Sequence, residues 1–188
     1  MAFLTEATAR AAFRNSGVQF AESELRKSAA TDLSTKFDVF LSHSFLDAEV
    51  IQGLKGLLEA EGLGVYVDWI EDRQLNRDQV TARTAEVLRT RMRNSQSFIF
   101  ATSKTSSGSK WMPWELGYFD GFRPNHVAIF PLVQTDGAGF PGQEYLGLYP
   151  YIEVIEFAEG PPRLGISISD TTARPIAGFP ANGARQRP

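Results

Sequence analysis

The 188-residue chain contains no cysteine. That absence excludes a disulfide scaffold, a thiol nucleophile and a cysteine-ligated metal, and it fits a reducing compartment. Histidine is scarce as well. His43 and His126 are the only two, too few for a histidine-rich metal site, so no metal is expected. No apolar run approaches the ~18–20 residues of a membrane-spanning helix. The stretch from Met1 to Asn15 carries Glu6, Arg10 and Arg14 and has no apolar signal core. Nor is there an excess of positive charge: 19 Lys and Arg face 22 Asp and Glu, a net charge of −3. This rules out a bulk basic field for gripping nucleic acid and argues against membrane-surface binding. Together these absences predict a cytoplasmic protein that binds neither membrane nor nucleic acid.

What is present is ordinary for a globular chain: 43% hydrophobic, 12% aromatic and 22% charged residues. The length suits roughly one domain of about 100–200 residues, enough to bury a sizeable core. Three zones are expected. Residues 1–35 are rich in Ala, Ser and charge and read as an N-terminal helical extension packed on the domain or on a partner. Residues 36–157 hold every strong periodic signal. Residues 158–188 carry five prolines and four glycines among 31 positions and read as a loosely ordered tail, with a short strand conceivable at Leu164–Ile168.

In the middle zone, apolar runs alternate with amphipathic stretches. Strands are predicted at Phe37–Ser42, Leu63–Asp68, Ser97–Thr102, Val127–Val133 and Tyr151–Ile155. Helices are predicted at Phe45–Glu61, Gln79–Arg93 and Pro113–Phe122. Gly62 closes the first helix as a left-handed cap, and Pro113 sits in a first turn, where a missing N–H costs little. Strands that are apolar throughout, separated by helices, imply a doubly wound five-stranded parallel α/β sheet with helices on both faces. Ligands of such folds bind beyond the carboxyl ends of the strands.

The residues at those ends are therefore the candidates. After the first strand come Ser42, His43 and Ser44. Ser44 with Asp47 reads as a helix-capping box or as part of an anion-facing loop. After the second come Asp68, Trp69 and a polar loop to Asp78, either solvated or a flap. After the third, Glu115 stands at a helix start beside Trp111 and Trp114. It is either a helix-stabilising carboxylate or a reactive group facing a ligand. The sequence carries neither nucleotide fingerprint, GxGxxG or GxxxxGK[ST]. It has no GxSxG elbow, and Thr102 and Ser103 occupy the place where a receiver domain would carry its acceptor Asp.

Taken together, FDVFLSHSFLDAE, GLGVYVDWIEDRQL and SGSKWMPWELGYFDG, in this order, resemble the strand, loop and helix motifs of a Toll/interleukin-1 receptor (TIR) domain over residues 36–157. The resemblance implies a flavodoxin-like fold and, for the NAD+-consuming bacterial kind, a catalytic role for Glu115. It implies substrate-binding roles for Ser42, His43, Ser44, Asp68, Trp69 and Trp111, with Ser109 and Trp114 as supporting positions. The loop after Asp68 would be the family's BB loop, although it lacks the usual Pro-Gly or Gly. NAD+ would be substrate, and no separate cofactor is implied. The chain also looks like the stand-alone sensors of Thoeris-type anti-phage defence. These make an ADP-ribose-derived signal for a separate effector, respond to a phage-derived trigger, and work as homo-oligomers through the BB loop. The competing reading is a non-catalytic interaction module or host-TIR mimic acting through Trp69 and Ile70. A further cluster, Arg73, Arg77, Arg83, Arg89, Arg91 and Arg93, reads as a solvated helix face or an assembly surface.

Overall fold

The computed structural model describes residues 2–15, 32–44, 48–72, 81–103, 108–140, 142–158, 160–167, 169 and 172–179. Among them, strand β1 (Leu4–Thr5) leads into helix α1 (residues 6–15). Then come β2 (Phe37–Ser42), α2 (Ala48–Ala60), β3 (Val65–Tyr66), the one-turn α3 (Asp68–Glu71), α4 (Ala82–Arg93), β4 (Ser95–Thr102), α5 (Trp111–Phe122) and β5 (Val127–Val133). Three further strands follow: β6 (Ile152–Ile155), β7 (Arg163–Ser167) and β8 (Ala173–Pro175).

The main sheet is five-stranded and wholly parallel, in the order β3-β2-β4-β5-β1. Its strands are buried on both faces, and residue parity sorts the side chains. Val39, Leu41, Ile99, Ala101, Ala128 and Phe130 join one core cluster with Ala9 of α1 and Leu54 and Leu58 of α2. Phe40, Phe98, Phe100, Val127 and Ile129 join a second with Leu88 and Met92 of α4 and Leu116 and Phe119 of α5. Helices therefore cover both faces, the doubly wound arrangement the periodicity implies.

Local chemistry sets the helix limits. Gly62 has φ 85°, its N–H donates to Glu59 O, and Leu63 N–H donates to Leu58 O. This is the left-handed cap expected after α2, with the paired bonds of a Schellman turn. Thr81 Oγ1 accepts from Thr84 N, so α4 starts at Ala82 rather than at Gln79, which lies outside the described residues. In α5, Pro113 is the third helical residue, where the N–H would lack an intrahelical partner anyway.

The fifth strand differs from expectation. The place next to β5 is filled from the N-terminal zone: Leu4 pairs with Leu132 and Thr5 with Val133. The predicted strand at Tyr151–Ile155 instead heads a separate antiparallel sheet, β6-β7-β8, and touches β5 through a single Ile129–Tyr151 bridge. Pro131 explains the division. Ile129 N–H donates to Pro150 O on the outer edge, and by alternation the Pro131 nitrogen faces that same edge without a hydrogen to give. One partner ends before the proline and the other begins after it. The zone beyond 158 is likewise more structured than its composition suggests: Leu164, Ile166, Ile176 and Phe179 are buried in the first core cluster.

Helix α1 is locked onto α2 at one point. Ala9 is fully buried, and a Cβ added at Gly53 would collide with its carbonyl oxygen. Because backbone cannot swing aside, Gly53→Ala is predicted to destabilise the protein by about 1–3 kcal/mol through displacement of α1. Chemical denaturation checks this, and an unchanged midpoint would contradict it.

Candidate active site

Three strand ends and one helix converge at the carboxyl edge of the sheet. Ser42 is the last residue of β2 and shares the face of Phe40, toward α5. Its hydroxyl donates to Glu115 Oε2 at 2.6 Å, the short contact typical of a charge-assisted bond. Both side chains are 0% exposed. Glu115 is the fifth residue of α5, beyond the first turn in which a helix end's field acts. Ser109 serves the helix start instead, its Oγ accepting from Met112 N at 3.3 Å. The reading of Glu115 as a helix-end stabiliser is thereby set aside. Trp111, one turn earlier, shares the face of Glu115 and is half-buried. It meets Trp114 edge-to-face at 5.4 Å. Trp114 turns the other way: it stacks on Tyr118 at 5.9 Å and lies under the Arg89 guanidinium at 5.4 Å.

His43 follows Ser42 directly and is 1% exposed. The Trp69 indole N–H donates to His43 Nε2 at 2.8 Å. With Nε2 accepting, the ring proton is assigned to Nδ1, which donates to Leu41 O at 2.9 Å. Asp68 Oδ1 lies 3.5 Å from the same Nε2, and Asp68 is 3% exposed. It opens α3 rather than ending β3, because the strand is only two residues long. Trp69 and Ile70 are half-buried against the first core cluster, so they anchor α3. Ser44, half-buried, continues the same edge. Asp47 and residues 73–78 lie outside the described residues.

A buried ion pair beneath this edge carried no sequence signal. Arg91 is fully buried. It grips Asp72 in fork geometry, Nε to Oδ2 at 2.8 Å and Nη2 to Oδ1 at 2.7 Å, and its Nη1 donates to Asp32 O at 2.8 Å. Tyr66 OH donates to Asp72 Oδ2 at 2.7 Å. Burial, and then the charges of Asp68 and Asp72, push the Tyr66 phenol well above its ordinary range, which keeps it a donor. Arg91 is thus no part of a solvated helix face. Its neighbours Arg89 and Arg93 are nearer that reading, both pairing with Glu86 at the surface. Arg73 and Arg77 lie outside the described residues. The pair joins the end of α3 to α4. A second feature without a sequence signal is a cavity of about 480 Å3 at the carboxyl ends of β4 and β5.

Asp72→Ala leaves a buried guanidinium uncompensated and is predicted to cost about 3–5 kcal/mol. The double replacement Asp72→Leu with Arg91→Met is predicted to cost clearly less, because no lone charge remains. Denaturation midpoints of the two variants check this; equal losses would contradict it.

No protein-family model matches the chain. Over 122 residues it is 54% identical to the "Probable 3' cyclic ADP-D-ribose synthase ThsB'" of Bacillus cereus (strain MSX-D12), a match covering 64% of this chain and 63% of that protein. Over 83 residues it is 34% identical to the "Putative cyclic ADP-D-ribose synthase TIR2" of Cytobacillus dafuensis, covering 44% of this chain and 22% of that protein. The chain thus spans less than two thirds of the length of either relative. The parallel sheet order and the three motifs in sequence at its carboxyl edge thus accompany similarity to two bacterial proteins, both named as cyclic ADP-D-ribose synthases.

Proposed function

We propose that the protein cleaves the nicotinamide–ribose bond of NAD+ and closes the ADP-ribose unit into a cyclic product. The observation that carries this reading is the Glu115 carboxyl group, fully buried, engaged by Ser42, and set at the sheet edge where ligands of such folds bind. The names of the two relatives support the same chemistry.

The nicotinamide ring of NAD+ is cationic and departs as a neutral base, so no general acid is required. The sugar left behind develops oxocarbenium character, as in glycoside hydrolysis. A carboxylate at Glu115 stabilises that charge, and its full burial strengthens the field. Ser42 donates to the same oxygen that a ribose hydroxyl would seek, so it holds the group in place until a substrate hydroxyl takes over. Trp111, on the same helix face, supplies an aromatic wall. Trp69 supplies a second, its ring orientation fixed by the bond to His43.

Within this proposal the protein acts in anti-phage defence. It works in the cytoplasm as a homo-oligomer through the segment that corresponds to the BB loop, answers a phage-derived trigger, and delivers its product to a separate effector. The alternative is a non-catalytic interaction module acting through Trp69 and Ile70, which are partly buried against the first core cluster rather than fully exposed.

Glu115→Gln keeps the shape and still accepts from Ser42. It is predicted to lower nicotinamide release from NAD+ by at least about 10²-fold, with thermal stability retained because a neutral amide is easier to bury than a charge. Release by the variant at the wild-type rate would overturn the proposal.

A further inference from the structure

The cavity at the carboxyl ends of β4 and β5 lies outside the Ser42–Glu115 pair, yet only one helical turn away from it. Met112 lines it and precedes Glu115 by three residues, which places their Cβ atoms about 5–6 Å apart on α5. Phe100 lines it too and is the cross-strand partner of Ser42. Its volume, about 480 Å3, lies within the range of small-molecule sites.

Its chemistry is distinctive. Among the described residues no Asp, Glu, Lys, Arg or His lines it. The floor is apolar, formed by Phe100, Met112 and Leu146, while Gln134 and Gln143 bring neutral amides. Tyr145 OH donates to Gln143 Oε1, which leaves the amide N–H groups of Gln143 as donors. One wall is the Phe140 ring, held edge-to-face by Phe3 at 6.3 Å and by Tyr151 at 6.2 Å. Gly142 lets the chain close on that ring, because a Cβ there would run into it. An aromatic wall, an apolar floor and neutral hydrogen-bonding groups suit a flat, uncharged heteroaromatic ring.

We propose that this cavity holds the neutral purine of the dinucleotide substrate, an inference that rests on the NAD+ reading of Glu115. A dinucleotide presents a cationic ring, an anionic diphosphate and an uncharged purine. An uncharged cavity offers no counter-charge to the first two and matches only the third. The chain between cavity and carboxylate fits the remainder. Ser109 lines the cavity, and Trp111 begins the turn that leads to Glu115. Between them, Lys110 is exposed at the start of α5 and brings a positive charge toward the diphosphate. The substrate therefore bends around the first turn of α5, with nicotinamide riboside on the Glu115 side and purine on the β5 side.

The test uses two variants. Ala138→Trp fills the cavity from the loop after β5. Gly142→Ala displaces the Phe140 wall. Adenosine, which carries no phosphate and no nicotinamide, is titrated calorimetrically into the full chain. The expected result is binding to the wild type and a loss of at least tenfold in affinity in both variants. Alongside, the ratio of NAD+ to nicotinamide mononucleotide turnover is expected to fall about tenfold in both, because only NAD+ carries the purine. Adenosine affinity equal in wild type and variants, or no adenosine binding at all, would overturn the proposal, as would an unchanged turnover ratio. Absence of turnover of both substrates by the wild type would instead strike at the Glu115 reading, while the adenosine titration would still decide the cavity.

Discussion

Taking an acidic group wholly out of water is costly unless something meets it, and the site is organised around that cost. Glu115 is met by Ser42, and this contact needs two elements brought together from 73 residues apart. The parallel sheet does so. Strands β2 and β4 are neighbours, with Ser42 level with Phe100, and α5 returns from the end of β4 across the same face. The right-handed crossover that parallel strands require thus places the helix carboxyl group beside the hydroxyl that ends β2. A hydroxyl is a suitable resting partner. It stabilises the buried oxygen, and a sugar hydroxyl can replace it like for like.

The rim is held by a second set of buried polar groups. Arg91 and Asp72 tie α4 to the end of α3, Tyr66 adds a third bond, and His43, held through Nδ1 by the Leu41 carbonyl, fixes the Trp69 indole through Nε2. Tyr66 at the end of β3 and His43 just after β2 thus hold side chains from the segment 68–72. The stretch from Asp68 to Asp72 is therefore anchored at both ends, by Trp69 in the core and by Asp72 on Arg91. Such pairs add little net stability over apolar packing, but they are unforgiving of losing one member.

Much of this was legible in the sequence, for identifiable reasons. Continuous apolar runs gave four strands of the parallel sheet, because burial on both faces leaves no polar alternation to confuse with a helix. Gly62 marked a helix end because only a left-handed residue closes it. Glu115 stood out because a carboxylate just after two tryptophans is chemically conspicuous. What escaped was set by tertiary context. Leu4–Thr5 is too short to show a period, and its place beside β5 depends on where Pro131 interrupts the edge. The buried state of Arg91 was invisible among five other arginines, since its spacing on α4 matches theirs. The cavity beyond β5 is lined by glutamines, glycines, two phenylalanines and other uncharged residues, none of which advertises chemistry in a linear reading.

The central claim is that Glu115 exchanges its Ser42 hydroxyl for the hydroxyls of the nicotinamide ribose. The most direct measurement is a crystal structure of the protein with carbocyclic NAD+, whose cyclopentane ring cannot form an oxocarbenium ion and so stays intact. The account predicts the Glu115 carboxylate within about 3 Å of the ring hydroxyls next to the nicotinamide, with the Ser42 contact lengthened. A nicotinamide ribose bound away from α5, with the Ser42–Glu115 bond undisturbed, would contradict it.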